Sequence, residues 1–88
     1  MNGNVFKALS DPTRRKILEM LAAEGDMSAG DISSRFAISA PSVSHHLSAL
    51  KDAKLVLDTR HGQSIIYSLN TTVFQEMVAW IYTIFEGK

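Results

Sequence analysis

The chain has 88 residues, no Cys, and equal numbers of basic and acidic side chains, nine of each. Its length predicts one domain over residues 1–88, and the lack of Cys excludes a disulfide scaffold and a thiolate metal site. No apolar run approaches the ~18 residues of a membrane span and the N-terminal residues show no signal-peptide pattern, so we expect a cytoplasmic protein without membrane insertion.

The first part of the chain predicts two helices separated by a break. A short first helix is indicated by three apolar residues at helical spacing, Val5, Phe6 and Leu9. Asp11 is then a candidate N-cap, and Pro12 stands at the first position of the next helix, where its missing N–H costs nothing. Gly25 supplies the stop of this second helix.

Two further helices, joined by a tight turn, are predicted next. Ser28 is the expected N-cap of a short third helix, whose inner face includes Phe36. Ser39 is the expected N-cap of the fourth helix, with Pro41 in its first turn. Because only residues 37–39 remain for the turn, this part of the chain has the helix-turn-helix pattern.

The predicted fourth helix has an apolar stripe and a second face of unusual composition. The stripe consists of Val43, Leu47 and Leu50. A merely solvated helix would usually carry Lys, Glu or Gln on its other face, whereas this one carries short hydroxyls and an imidazole. These residues are Ser42, Ser44, His45 and Ser48. We interpret them as a surface that hydrogen-bonds base edges in the major groove of DNA.

After Lys54 the apolar pattern changes from helical to alternating. Residues 56–60 and 63–69 flank His61 and Gly62, a pattern typical of a β-hairpin with Gly at a positive backbone angle. Arg60 and Gln63 bracket the turn, and we expect them to contact phosphate or the minor groove. The hairpin directly follows the fourth helix, so it has the position of a wing.

A final helix is predicted over residues 72–85, with Thr72 and Gln75 as a capping box. Its apolar residues go most of the way around the helix. A terminal helix of so small a domain cannot bury all of them against its own core. The surplus indicates a subunit interface.

Several segments, taken together, resemble the ArsR/SmtB family of winged-helix repressors. The residues that carry the resemblance are SDPTRRKIL at 10–18, S-x-P-x-VS-x-HL-x-x-L at 39–50, R-x-GQ at 60–63 and YSLN at 67–70. Within the family the chain is most similar to short repressors of the SdpR type, autorepressors that lack the usual metal ligands. It departs from the family pattern at Lys54, where Gly is common, so a stiffer or differently angled helix end is expected there.

The resemblance implies a mainly α fold with a β-hairpin, a winged helix-turn-helix of order ααααββα. It also implies a homodimer built from the first and last helices, which represses transcription at an inverted-repeat operator in double-stranded DNA. The residues expected to contact DNA are Ser39, Ala40, Ser42, Ser44, His45, His46, Ser48, Arg60, His61, Gln63 and Arg14. Those expected at the dimer interface are Val5, Phe6, Leu9, Phe74, Met77, Val78, Ile81, Ile84 and Phe85.

Two of the expected DNA contacts have open alternatives. His46 lies at the border of the buried stripe, three residues after Val43, so it either orients the helix, touches phosphate or reads a base. Arg14 either clamps a phosphate or has a structural role. The sequence favours neither reading of Arg14.

No metal, cofactor or catalytic activity is expected. Adjacent residues such as His45 and His46 point about 100° apart on a helix, so they cannot comfortably hold one ion. Glu76 and Glu86, ten residues apart on the last helix, project about 80° from each other and have no His nearby. The sequence contains no Gly-rich phosphate loop, no G-x-S-x-G and no H-E-x-x-H, so we do not expect an enzyme.

Two other functions stay open on the sequence alone. One is a repressor of the same fold that a metal or small ligand releases from DNA. The other is a winged helix used as a protein-interaction module, which the zero net charge favours. A sequestering protein partner is a further hypothesis, motivated by the missing ligands. Basic side chains nevertheless outnumber acidic ones between Arg35 and Gln63, which favours phosphate contact.

Overall fold

The elements of the computed structural model, which describes residues 2–87, follow the order expected of a winged helix-turn-helix. They are α1 (Asn4–Leu9), α2 (Pro12–Glu24), β1 (Met27–Ser28), α3 (Ala29–Ser33), α4 (Ala40–Asp52), β2 (Val56–His61), β3 (Ser64–Leu69) and α5 (Thr71–Glu86). Helices α3 and α4 form the helix-turn-helix, and β2 with β3 forms the wing. The predicted fold class is confirmed, with one strand added.

The added strand, β1, was not predicted. Met27 pairs with Tyr67 and Ser28 with Ile66, so β1 lies antiparallel to β3 and the strand order is β1-β3-β2. Two residues are too few to show alternation in a sequence, and this strand exists only because β3 pairs with it. The pairing fixes the base of the wing to the segment between α2 and α3.

The starts of α2, α3 and α4 follow the predicted caps, whereas α3 ends at Ser33, so Phe36 lies outside the helix whose inner face it was predicted to share. Oδ2 of Asp11 accepts the backbone N–H of Arg14 at 2.9 Å, and Pro12 is the first residue of α2. Gly25 ends α2 with a φ of 84°, in the region that favours Gly. The hydroxyls of Ser28 and Ser39 likewise cap α3 and α4. These local hydrogen bonds satisfy backbone donors that a helix start leaves without partners.

The core lies where α2, α3 and α4 meet the strands. Ile17, Ile32 and Leu50 are fully buried at its centre. Val5 of α1 is also fully buried there, so the prediction that Val5 contributes to a dimer interface was wrong. Helical spacing identifies an apolar stripe, but it does not say whether the same protomer or a partner covers that stripe.

Helix α4 ends in a turn that places Lys54 in a left-handed conformation. Its φ is 65°, a value that side-chain-bearing residues rarely adopt. The N–H of Lys54 donates to the carbonyl of Lys51 at 2.9 Å, and that of Leu55 donates to the carbonyl of Leu50 at 3.0 Å. This pair of bonds is the Schellman motif, whose left-handed position usually holds Gly. Lys54 therefore stands where the resembling family commonly has Gly, and its backbone keeps the Gly geometry.

Replacing Lys54 with Gly should stabilise the protein by about 0.5–1 kcal/mol, because the strain of a left-handed side-chain-bearing residue exceeds the greater unfolded-state freedom of Gly. For a domain of this size that gain raises the thermal midpoint by about 2–8 °C. Lys54→Ala keeps the strain and is the control, with a midpoint near that of the wild type. Equal midpoints for the Gly and Ala variants in a thermal melt would contradict this account.

Helix α5 begins one residue earlier than predicted. Asn70 is its N-cap residue, and no side chain caps this end with a hydrogen bond. Thr72 lies inside the first turn, so the predicted capping box of Thr72 and Gln75 was wrong. The Asn70 side chain is engaged elsewhere, since its Nδ2 donates to the carbonyl of Lys54 at 2.9 Å.

Most of α5 is not buried by its own protomer. Val73 is the one buried residue in this helix of 16 residues. The radius of gyration is 13.8 Å, and the principal extents are 49 × 24 × 22 Å. A compact domain of this length would have a radius of gyration of about 12 Å, so the protomer is elongated. No helix within residues 2–87 is long and apolar enough to cross a membrane.

Candidate nucleic-acid interface

Packing of α4 on the core determines which of its side chains face outward. Val43, Leu47 and Leu50 are at most 1% exposed and hold one side of the helix against the body. Because successive residues are rotated by about 100°, the opposite side presents a different set of side chains to solvent. Of the predicted DNA contacts on this helix, those that are exposed are Ala40, Ser42, Ser44, His45 and Ser48.

The serines at the start of α4 have an internal role. The Ser39 hydroxyl accepts the backbone N–H of Ser42 at 3.2 Å and donates to the Ser42 hydroxyl at 2.9 Å. Ser39 is thus the N-cap, and its hydroxyl proton is already used. The Ser42 hydroxyl keeps its own proton for an external acceptor, as do Ser44 and Ser48, whose hydroxyls make no hydrogen bond to any group within residues 2–87. Of these serines, Ser42, Ser44 and Ser48 are therefore the available donors.

The two adjacent histidines of α4 diverge. Their ring centroids are 6.1 Å apart with an interplanar angle of 61°, and His45 is exposed. The His46 side chain is 18% exposed and lies between α4 and the start of α2, with its Nδ1 3.7 Å from Oδ2 of Asp11. No group within residues 2–87 hydrogen-bonds to this buried Nδ1. This placement favours the orienting role for His46 over base reading.

Asp11 faces both α2 and His46. The hydrogen bond from the backbone N–H of Arg14 is the main reason that the pKa of Asp11 lies below its ordinary value of 3.8. Partial burial opposes this shift, and the nearby positive charges of His46 and Arg14 reinforce it. The carboxylate therefore stabilises the folded protein above about pH 4, and this contribution is lost as the pH falls through the lowered pKa.

Replacing Asp11 with Ala should cost about 1 kcal/mol of stability at pH 7, because the N-cap bond of α2 is lost. Asp11→Asn keeps a capping oxygen and should stay within a few tenths of a kcal/mol of the wild type at that pH. The Asn variant should also lose less stability than the wild type between pH 5 and pH 3, since its amide does not titrate. Urea unfolding across this range measures both effects. Parallel pH profiles for the wild type and the Asn variant would contradict the assignment.

Arg14 contacts the end of α1. Its Nε donates to the carbonyl of Ala8 at 2.9 Å and its Nη2 to that of Lys7 at 3.4 Å. Arg15 Nη1 donates to the carbonyl of Leu9 at 2.7 Å. The two guanidinium groups thus satisfy the carbonyls at the C-terminal end of a helix of six residues. These contacts favour the structural alternative for Arg14 over the phosphate clamp.

The wing presents its polar tip to solvent. Arg60, His61 and Gln63 are exposed, and Gly62 makes the turn with a φ of 60°. Arg60 makes no hydrogen bond or ion pair with any group in the described part of the chain. Its guanidinium is therefore free for an external anion.

Two basic side chains near the wing and helix-turn-helix are already paired with acids. Nζ of Lys51 lies 3.0 Å from Oδ2 of Asp58, which ties α4 to β2 and raises the pKa of Lys51. Arg35 binds the carboxylate of Glu24 through both of its terminal nitrogens, at 2.8 and 2.5 Å. Fewer basic side chains in this region are therefore available for phosphate contact than the sequence indicates.

The three histidines lie at separate places, on the outer side of α4, against Asp11 and at the wing tip. In the described part of the chain, no three His, Cys, Asp or Glu side chains come close enough together to hold a metal ion. Glu76 and Glu86, the candidate acids of α5, do not form such a group.

The exposed apolar side chains of the protomer are concentrated on α5 and extend to α1. We define the apolar face of α5 by its large exposed side chains, Val78, Trp80, Ile81, Tyr82, Ile84 and Phe85. Trp80 and Tyr82 were not among the predicted interface residues. Phe6 of α1 is 50% exposed, and its ring centroid lies 5.4 Å from that of Trp80, so the apolar surfaces of the two helices join. Leu9, Phe74 and Met77 are half-buried and pack partly on the core of their own protomer.

Comparison with known proteins supports this description. A sequence model of the family described as "Helix-turn-helix domain" matches residues 9–59. The chain is 62% identical over 78 residues to the transcriptional repressor SdpR of Bacillus subtilis, covering 89% of this chain and 86% of that protein. It is also similar to longer arsenic-resistance regulators, of which it spans 62% of the length.

Solved structures show the same architecture. The crystal structure of the ArsR family transcriptional regulator RHA00566 superposes with a TM-score of 0.87 at 26% identity, over 94% of this chain and 90% of that one. A homodimeric winged helix-turn-helix DNA-binding domain, Mb0332 of Mycobacterium bovis, superposes with a TM-score of 0.75 at 26% identity, over 94% and 76% of the two chains.

Proposed function

Because the chain belongs to the ArsR family of winged helix-turn-helix regulators, we propose that it is a homodimeric transcriptional repressor that binds an inverted-repeat operator. The observation that carries the proposal is the outer side of α4, the helix that directly precedes the wing, where Ser44, His45 and Ser48 are exposed. Hydroxyl and imidazole groups donate to or accept from base edges, and α4 is long enough to lie in a major groove. The role is regulatory, and no enzymatic step is part of it.

The proposed contacts divide into two kinds. Ser42, Ser44, His45 and Ser48 would meet base edges, and Ser39 and Ala40 would lie at the entry of the helix. Arg60, His61 and Gln63 would meet phosphates or the minor groove from the wing. His46 would act by holding α4 against the start of α2.

A homodimer joined through α5 explains the inverted repeat. Val73 is the one buried residue among the 16 of α5, and the large apolar side chains beyond Met77 are exposed in the protomer. A second copy would cover the apolar face of α5 and the exposed side of Phe6. The two-fold axis would then place the two α4 helices in successive major grooves about 34 Å apart.

The charge distribution limits the affinity of the protein for DNA of random sequence. With Lys51 and Arg35 paired to acids, Arg60 is the clearest phosphate contact on the wing. Each phosphate contact contributes about 0.9 to the slope of log affinity against log salt. The proposal therefore includes modest affinity for random duplexes. It also includes repression of the protein's own gene and action in the cytoplasm, where the chromosome is accessible.

Titration of fluorescent duplexes tests this function. We expect the protein to bind a duplex from the promoter of its own gene at least about 1000-fold more tightly than a scrambled duplex at the same salt concentration. The anisotropy change should saturate at two protomers per duplex. Equal affinity for both duplexes would contradict the proposal and would favour a protein-interaction module.

A further inference from the structure

One residue, Asn70, joins the end of α4 to the start of α5. Its side-chain Nδ2 donates to the carbonyl of Lys54 at 2.9 Å, and its backbone N–H donates to the carbonyl of Leu55 at 3.0 Å. Its own carbonyl accepts the N–H of Val73 at 3.1 Å, in the first turn of α5. The residue therefore closes β3, starts α5 and holds the turn that follows α4.

That turn is bonded to the last turn of α4. The N–H groups of Lys54 and Leu55 donate to carbonyls of the last turn of α4, at 2.9 and 3.0 Å. Ala53 and Leu55, on either side of Lys54, are fully buried. The Lys54 carbonyl is thus fixed relative to the helix that we propose to lie in the major groove, and Asn70 is attached to it.

Helix α5 has few other attachments to its protomer. Val73 is buried, Phe74 and Met77 are half-buried, and all of these lie in the first two turns. Farther along, Trp80 contacts Phe6 of α1. The direction in which α5 leaves the domain is therefore set mainly at its start, where Asn70 lies.

We propose that Asn70 is a positioning residue that sets the angle between α5 and α4, and through it the spacing of the two half-sites that a dimer recognises. This inference rests on the proposed homodimeric repressor. In a dimer joined through α5, each α4 lies about 17 Å from the two-fold axis, half of the 34 Å groove repeat. Helix α4 has 13 residues and extends about 20 Å from the turn that Asn70 holds, so a rotation of about 10° at that turn moves the first residues of α4 by about 3.5 Å, close to the rise of one base pair. A small change in the angle between α4 and α5 is therefore enough to change which half-site spacing the dimer prefers.

Operators with identical half-sites and spacers shorter or longer by one or two base pairs test the proposal. We expect the wild-type protein to prefer one spacer by about tenfold or more over its neighbours. Asn70→Ala removes the side-chain donor, and the preference should fall below about threefold. Asn70→Asp, which has the same shape and can cap α5 but cannot donate to the Lys54 carbonyl, should show the same loss.

The ratio of affinities for two spacers does not depend on the fraction of folded protein, so it separates positioning from stability. Thr83→Ala is the control, since Thr83 donates only within α5, to the carbonyl of Ala79 at 3.0 Å. This variant should keep the wild-type ratio. A wild-type ratio in either Asn70 variant would overturn the inference and leave the repressor function intact. Wild-type protein that binds none of the duplexes would overturn the proposed function and the inference with it.

Discussion

Replacing Ile81 with Glu should turn the protein into a monomer at micromolar concentration and weaken operator binding by at least about 100-fold. Ile81 is 44% exposed on the apolar face of α5, and a second copy would cover it. A two-fold interface contains each substitution twice. Burying two unpaired carboxylates costs several kcal/mol, and each 1.4 kcal/mol raises the dissociation constant about tenfold. Analytical ultracentrifugation measures the oligomeric state, and fluorescence anisotropy measures the binding.

Ala23→Glu is the matched control for Ile81→Glu. It places the same new charge at an exposed position of α2, outside the apolar face of α5. This variant should remain dimeric and keep wild-type affinity. A second substitution on the apolar face, Ile84→Glu, should reproduce the monomer. If both α5 variants sediment as dimers at micromolar concentration, the apolar face is not the interface.

Replacing His45 or Ser44 with Ala should reduce the discrimination between operator and scrambled duplex by about 1–3 kcal/mol for each half-site, because a contact to a base edge is lost. In a dimer the loss occurs at both half-sites, so binding falls by a factor between about 30 and about 20,000. Affinity for the scrambled duplex should change little. Parallel titrations of the two duplexes measure the discrimination.

His46→Ala is the matched control for His45→Ala, since it removes an imidazole from the same helix. Its side chain faces Asp11 rather than solvent, so its loss should weaken binding to both duplexes by a similar factor. A selective loss of operator binding in His46→Ala, with none in His45→Ala, would reverse the roles assigned to the two rings.

The starts of α2, α3 and α4 and the end of α2 were predictable because they depend on local chemistry. Asp11, Ser28 and Ser39 each cap the helix that follows them, and Gly25 adopts the positive φ that its residue type permits. Each of these features involves residues within four positions of one another. The strand β1 was missed because it depends on Tyr67 and Ile66, about 40 positions away.

The sequence identified the apolar residues, but it did not always show whether the same protomer or a partner covers them. Val5 fits the same helical spacing as Phe6, yet Val5 is fully buried and Phe6 is half exposed. The excess of apolar side chains on α5 was predicted from its composition. In the structure these side chains are exposed because α5 leaves the domain after its first turns. The side chain of Asn70 was not predicted to join α4 and α5, because that contact spans 16 positions.

Electrostatic contacts were the least predictable part of the candidate site. The carbonyls that bind Arg14, and the carboxylates that pair with Lys51 and Arg35, come from neighbouring elements. A count of basic residues treats these side chains as free to bind phosphate, whereas in the folded protein they are already bound to carbonyls or carboxylates. The outward direction of Ser44 and His45 was predictable, because it follows from the position of Val43 and Leu47 on the same helix.

The central claim, a dimer that reads an inverted repeat, is tested most directly by selecting bound sequences from random duplexes. We expect an enriched pair of inverted half-sites whose centres lie about 34 Å apart, roughly ten base pairs. The same half-site should lose its enrichment when the selection is repeated with His45→Ala. Recovery of no enriched sequence, or of a single half-site without a symmetric partner, would contradict the claim.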